Sequence, residues 1–185
     1  GNTPNISFFN LDFKPTNKTA LQTAVNEWCS NPRVTPGSYL GKDINEWDTS
    51  LITDMSNLFK DKTTFNDDIG NWDTSNVTNM SRMFNNALTF NQDIGVWNTS
   101  KVEDMSYMFE CQYNTSNTSN FNQDIGTKQV TVNGTTYTAW DTLNVTNMYC
   151  MLNFAKAFNN NGSANIGKWN TSKVTTMVRM FDGAT

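Results

Sequence analysis

The sequence contains no histidine and only three cysteines, and it has neither a cluster of basic residues nor a long apolar run. Because histidine is the usual acid–base group at neutral pH, its absence leaves catalysis to carboxylates, lysine, tyrosine or cysteine. The net charge of −4 argues against nucleic-acid binding, which needs a basic surface. No apolar segment approaches the ~20 residues that span a membrane as a helix, so no transmembrane segment is expected.

The cysteines Cys29, Cys111 and Cys150 lie far apart in the sequence and match no metal-binding spacing. An odd number leaves at least one unpaired, and zinc sites usually also contain histidine. We therefore expect small buried side chains, with no disulfide framework and no bound metal or other cofactor. The 23 aromatic residues (6 Trp, 12 Phe and 5 Tyr) recur at regular places, which indicates a folded chain.

An internal repeat dominates the chain. Trp47, Trp72 and Trp97 are 25 residues apart, and their surroundings read DINEWDTSLITDMSNLF, DIGNWDTSNVTNMSRMF and DIGVWNTSKVEDMSYMF. Trp140 and Trp169 mark two further copies at spacings of 43 and 29 residues. Insertions near 110–120, 127–138 and 159–164 explain the longer spacings, and insertions that preserve a framework belong in surface loops.

Apolar residues within each repeat favour one short strand and one short helix. The I-x-x-W segment predicts an extended segment, and the offsets of 3 or 4 in V-x-x-M-x-x-M-F are those of a helix face, begun by an Asp/Asn-Thr-Ser cap. A single unit cannot bury its apolar residues, so five stacked repeats are expected over residues 44–185. The predicted fold is an α/β repeat solenoid, similar to leucine-rich repeats. Its predicted core comprises Trp47, Trp72, Trp97, Trp140, Trp169, Met80, Met105, Met148, Met177, Phe84 and Phe109.

Residues 1–43 are expected to cover the first repeat as an N-terminal capping region. Leu21, Ala24, Val25 and Trp28 would share one face of a helix from about residue 20 to 29. No equivalent cap follows Phe181, so the final repeat is expected to present an uncapped end. Self-association through that end follows as an expectation.

The motif W-D-T-S-x-V-T-x-M-S-x-M-F recurs from Ile44 to Phe181, and an F-K-P-x-x-K leader begins at Phe13. With these motifs the chain resembles the mycoplasma-type lipoprotein-associated repeat of about 25 residues, a branch of the BspA-like leucine-rich-repeat surface proteins. The resemblance implies an extracellular or cell-surface protein, often lipid-anchored, that takes part in adhesion or host interaction. The positions it transfers are structural, because a fold alone does not define a function.

Two regular columns of polar residues are candidate sites. Asp68, Asp73 and Asp93 belong to a ladder of oxygen ligands that suits Ca²⁺, although turns and caps use the same residues without a metal. Thr49, Thr74 and Thr99 form a threonine ladder. If exposed, it would match an ordered surface such as ice or a polysaccharide, whereas helix capping is the alternative explanation.

The insertion at 127–138 contains Asn133-Gly134 between alternating residues, a pattern typical of a β-hairpin with a type I′ turn. A hairpin that projects from a repeat array is a candidate contact element. Val130, Val132, Asn133 and Tyr137 are its candidate ligand-binding residues.

These observations predict a non-enzymatic binding or adhesion module that presents a repeat surface to a host or matrix protein or glycan. The sequence leaves three alternatives open: a structural or self-assembling surface component, an ice- or polysaccharide-binding ladder, and a carbohydrate-active enzyme. For the last, the adjacent carboxylates Asp67-Asp68 and Glu103-Asp104 are the available pairs, and solvated or capping roles compete with catalysis there.

Overall fold

The computed structural model of the chain describes residues 12–30, 41–112 and 118–184. Its regular elements are one α-helix, α1 (Lys18–Ser30), and one antiparallel hairpin of β1 (Lys128–Val132) and β2 (Thr135–Ala139). Short 3₁₀ turns span Ile44–Glu46, Asn160–Gly162 and Ala164–Lys168. No described helix is both long and apolar enough to cross a membrane.

The predicted α/β repeat solenoid, with one strand and one helix per repeat, is wrong. The described residues contain one α-helix and one two-stranded sheet, and neither element recurs from repeat to repeat. The physical reason is a left-handed residue ten positions after each tryptophan, in the middle of the predicted helix. A positive φ there interrupts the i to i−4 hydrogen bonds of an α-helix. The left-handed residues are Asn57, Arg82, Tyr107, Cys150 and Arg179, with φ between 53° and 62°.

Instead of forming a helix, each repeat donates its backbone N–H groups to the next repeat. The N–H groups of Met55 and Asn57 donate to carbonyls of Asn79 and Ser81, at 2.9 and 3.0 Å. Equivalent bonds recur between each later pair of successive repeats, and isolated parallel bridges join Asp54, Asn79, Asp104, Asn147 and Thr176 in order. The repeats therefore contact one another in register, through turns rather than helices.

Aromatic side chains stack between repeats in the core. The rings of Phe59 and Phe84 lie 5.4 Å apart and 3° from parallel, and Phe84 and Phe109 repeat the arrangement at 5.5 Å. A second column runs along Phe65, Phe90, Phe121 and Phe158, with centroids 5.8 to 6.0 Å apart. Parallel stacking at this spacing requires each repeat to hold the same ring in the same place.

The tryptophans combine burial with a hydrogen bond to the preceding repeat. The indole N–H of Trp72 donates to the carbonyl of Ile44 at 2.7 Å, and that of Trp140 to Ile94 at 2.9 Å. Because a buried indole N–H needs an acceptor, this bond fixes the ring at one depth. Of the predicted core, the following are buried: Trp47, Trp72, Trp97, Trp140, Met80, Met105, Met148, Phe84 and Phe109.

Two predicted core residues depart from this pattern. Trp169 is only partly buried, and Met177 is 46% exposed, so the prediction of a buried Met177 is wrong. Met177 lies in the last repeat, where no further described repeat packs over it. Its counterpart Met148 is fully buried because Thr176 and its neighbours cover it, and Met148 N–H donates to Thr176 at 3.0 Å.

Helix α1 packs on the first repeat. It begins after Asn17, whose side-chain oxygen accepts from the N–H of Ala20, and it buries Leu21, Ala24, Val25 and Trp28. The Lys18 ammonium lies 3.0 Å from the carboxylate of Asp54, and the Gln22 amide donates to the carbonyl of Leu58 at 3.0 Å. Gln22 thus donates to a carbonyl whose equivalent in the next repeat, that of Met83, accepts from the N–H of Phe59.

The three predicted insertions have different forms. The segment 127–138 contains most of the hairpin, and 159–164 contains a 3₁₀ turn at Asn160–Gly162. Of the segment 110–120, residues 113–117 lie outside the described residues. The boundary at residues 43 and 44 stays a prediction.

Replacing Trp72 with alanine should lower the free energy of unfolding by about 3–5 kcal/mol, because it removes a large buried ring and its hydrogen bond. Chemical denaturation followed by circular dichroism measures this loss. Asn71→Ala changes the exposed neighbour and should stay within about 0.5 kcal/mol of the parent. Equal stabilities of the parent and Trp72→Ala would contradict the stacked core.

The contact of α1 with Asp54 should depend on pH. Burial raises the pKa of Asp54, but hydrogen bonds from Ser56 and the Lys18 ammonium outweigh it and hold that pKa below the ordinary 3.8. This stabilisation is therefore complete above pH 3.8 and is lost as the pH falls through the lowered value. Asp54→Asn keeps the turn, since Asn79 caps Ser81 in the same way, but removes the charge. Between pH 6 and pH 2 the melting temperature of the variant should fall less than that of the parent. Equal falls in the two proteins would contradict a stabilising role for the Asp54 carboxylate.

Candidate binding groove beneath the hairpin

The predicted hairpin is present, and its turn has the conformation that its sequence demands. Asn133 and Gly134 have φ of 49° and 78°, as both central residues of a type I′ turn require. Val132 pairs with Thr135 and Val130 with Tyr137, which places these four residues on one face. Val130 and Tyr137 pack against the core, so this face points toward the repeats.

Polar contacts hold the hairpin to the repeats. The Tyr137 hydroxyl donates to the carbonyl of Val96 at 2.6 Å, and the Thr127 hydroxyl donates to the carbonyl of Trp140 at 2.7 Å. Burial raises the pKa of Tyr137, and the carboxylate of Asp73 raises it further, so the hydroxyl keeps its proton at neutral pH. The hairpin is therefore a fixed wall rather than a loose loop.

A groove of about 540 Å³ lies between the hairpin and the loops of two repeats. One wall is formed by Val132, Asn133, Thr135 and Tyr137 of the hairpin. The opposite side comprises Gly70, Asn71, Trp72, Asp73, Thr74, Ser75, Val96 and Asn98. The lining mixes apolar surface with hydroxyl, amide and carboxylate groups, and Asp73 is the single charged residue among its described members.

The groove contains part of the predicted ligand-binding set. Thr74, Val132, Asn133 and Tyr137 line it, whereas Thr49, Thr99 and Val130 do not. Sequence reasoning missed Asn98 and Val96, which come from a different repeat than Trp72. The alternation of residues along the hairpin strands predicts which side chains face inward, but not which residues they face. Val96 and Asn98 are therefore found only in the folded structure.

The threonine ladder does not meet the condition of exposure on which a match to an ordered surface depends. Thr49, Thr74 and Thr99 are at most 1% exposed. Their hydroxyls donate to the carbonyls of Asp73, Asn98 and Asp141 in the next repeat, at 2.8 to 2.9 Å. These threonines join repeats together and do not present a flat surface to ice or a polysaccharide.

The aspartate columns cap turns. Asp68, Asp73 and Asp93 each accept the N–H of the residue two positions later, at 2.8 to 2.9 Å. Such Asx-type bonds are the ordinary use of aspartate in turns. Among the residues that the structure describes, no group of three or more Cys, Asp or Glu side chains is placed to hold a metal ion.

The cysteines are not poised for nucleophilic chemistry. They form no disulfide, and burial raises the pKa of Cys29 to about 11 despite the nearby Lys62. Burial also raises the pKa of Cys111 and of Cys150. All three are therefore protonated thiols at neutral pH, whereas a reactive cysteine is a thiolate.

Residues 33–138 and 117–185 match a protein family described as Mycoplasma protein of unknown function, DUF285. The chain belongs to this family. The two matches together span the five tryptophan repeats and the hairpin. No curated protein and no solved structure matches the chain. Family membership thus agrees with the mycoplasma-type resemblance and assigns no activity.

Thr99→Val should lower the free energy of unfolding by about 1–2 kcal/mol. Valine has the same shape as threonine but no hydroxyl, so the buried carbonyl of Asp141 loses its donor. Thr146→Val is the matched control. Its exposed hydroxyl makes a similar bond, to Glu103 at 3.1 Å, but water can replace it. Urea denaturation should show a clear loss only for Thr99→Val, and equal effects would argue against the buried threonine column as a stabilising feature.

Proposed function

We propose that this chain is a non-enzymatic binding module of a cell surface, and that it holds a glycan chain in the groove beneath the hairpin. The observation that carries the proposal is the hairpin wall, fixed by the bond from Tyr137 to Val96. Because this wall is already fixed beside the polar repeat loops, a ligand does not have to order it, and less conformational entropy is lost on binding.

The chemistry of the lining favours a polyhydroxyl ligand. Asp73, Asn98 and Ser75 offer hydrogen-bonding groups for hydroxyls, while Val132 and Tyr137 offer apolar surface for the faces of sugar rings. The described residues of the lining include one carboxylate and no lysine or arginine, so the groove is unfavourable for an anionic ligand. A neutral glycan is the partner that matches both properties.

The same lining favours binding over hydrolysis. Glycoside hydrolases ordinarily place two carboxyl groups across the scissile bond. Among the residues that the structure describes, the groove has one carboxylate, Asp73, and its other ionisable group, Tyr137, is held protonated. We therefore expect a bound glycan to be released intact.

The extracellular location rests on sequence resemblance. The narrower relationship to BspA-like leucine-rich-repeat surface proteins, with their role in adhesion, remains a prediction. It favours a surface location for the groove and a host or matrix glycan as its ligand.

A glycan array identifies the ligand, and calorimetry with the bound glycan then tests the site. Asp73→Asn should weaken binding about tenfold, because it removes a charged hydrogen-bond acceptor worth more than about 1.4 kcal/mol. The fold should persist, since Asn98 occupies the equivalent position one repeat later.

Asp141→Asn is the matched control. Asp141 caps Leu143 at 2.9 Å as Asp73 caps Ser75, but it lies outside the groove lining. Its affinity should equal that of the parent. Equal losses of affinity in both variants would contradict binding in the groove. So would full binding after replacement of residues 128–138 with a short loop. Cleaved glycan detected by mass spectrometry would contradict the non-enzymatic role.

A further inference from the structure

A second surface combines aromatic and cationic side chains. We call it the basic–aromatic row, and it comprises Arg82, Tyr107, Tyr149 and Arg179 from four successive repeats. The Arg82 guanidinium lies 4.1 Å from the centroid of the Tyr107 ring, and the rings of Tyr107 and Tyr149 are 5.1 Å apart. The row shares no residue with the groove lining.

Arg179 completes the row at its other end. The N–H of Cys150 donates to the carbonyl of Val178 at 3.0 Å, which brings Arg179 beside Tyr149. The pKa of Tyr149 is raised, chiefly by the neighbouring Cys150 thiol. The Arg179 guanidinium acts in the opposite direction, so Arg179 and Tyr149 interact electrostatically. Because neighbouring strands in a hydrogen-bonded array lie about 4.8 Å apart, the three steps from Arg82 to Arg179 span about 15 Å.

The backbone does not explain these side chains. Arg82, Tyr107 and Arg179 have φ of 56° to 58°, a left-handed conformation that bulky residues rarely adopt. Asn57 occupies the same position in the first repeat, and asparagine is among the residues that tolerate this conformation best. Three of the four later repeats therefore carry arginine or tyrosine at this position at a cost in backbone strain, whereas the fourth has Cys150 there, directly after Tyr149. Such strain is a pointer to function.

The guanidinium groups are available for an anion. Among the described residues, Arg82 has no carboxylate within ion-pair distance, and Arg179 has only a long contact, 3.9 Å to Asp182, with 65% of its side chain exposed. The nearby Glu110 carboxylate already accepts from the amides of Asn85 and Asn153, at 2.8 and 3.2 Å. The row is thus locally cationic on a protein whose net charge is −4.

We propose that the basic–aromatic row binds an anionic polysaccharide along its length. Guanidinium groups bind sulfate and carboxylate through paired N–H donors, and the tyrosine hydroxyls between them can donate to and accept from the hydroxyls of sugars. A linear polymer engages both arginines and the two rings between them. An acidic peptide would use the arginines alone and would leave the tyrosine pair without a role.

Calorimetry with a heparin octasaccharide tests the proposal. The double variant Arg82→Asn, Arg179→Asn should bind at least tenfold more weakly, with a smaller dependence of affinity on salt. Asparagine suits the left-handed backbone, so the variant should melt at or above the parent temperature, which separates lost binding from lost folding. Tyr107→Asn should also weaken binding and keep the fold.

The matched control removes the same charge from a different position in the repeats, four residues after the tryptophan. Lys101 and Lys173 are exposed, and each contacts an asparagine of the preceding repeat, at 2.6 and 2.7 Å. Lys101→Ala, Lys173→Ala should bind within threefold of the parent. An equal loss in this control, or binding of polyglutamate as tightly as heparin, would overturn the proposal.

Two further arms complete the experiment. Desulfated heparin retains its carboxylates, so its affinity identifies which acidic group the row requires, and binding of either form supports the proposal. Asp73→Asn should leave heparin binding unchanged, because the groove and the row are separate sites. A loss in Asp73→Asn with none in the arginine variant would place the anion in the groove and overturn the row.

Discussion

The hydrogen bonds between successive repeats determine the rest of the structure. Each of the first four repeats directs N–H groups toward its successor, at Met55, Asn57 and their later equivalents, and the carbonyls of the next repeat accept them. A buried donor without an acceptor is costly, so no unit is stable by itself. The stacking of Phe59 on Phe84 and the seating of Trp72 against Ile44 then follow from the register.

The sequence predicts the core well because packing and spacing are directly related. Residues that recur at one offset from tryptophan meet their counterparts, and most of the predicted set is buried. The helix prediction failed because the turns of each repeat close bonds between residues three apart, such as Leu58 to Met55. That periodicity is close to the period of a helix. The left-handed residue that separates the two structures has no consistent side chain, since it is Asn, Arg, Tyr or Cys.

The candidate groove was predictable only on one side. Asn133-Gly134 specifies a hairpin by local chemistry alone, and alternation then identifies its inner face. The repeat loops opposite that face become neighbours only after the chain folds. The threonine column shows the converse problem, since a residue suited to capping a helix is equally suited to donating a buried hydroxyl to the next repeat.

The frame and the variable surfaces are separable. Asp104 pairs with Asn147 as Asp54 pairs with Asn79, although the first pair is separated by 43 residues and the second by 25. The extra residues leave the backbone bonds between these two repeats in place, such as those from Tyr107 to Tyr149 and from Phe109 to Met151. The connection between the third and fourth repeats is therefore a site where loops of other lengths and sequences can be inserted. The stacked rings would keep their places. The ligand that such a molecule binds can therefore change without repacking of its core.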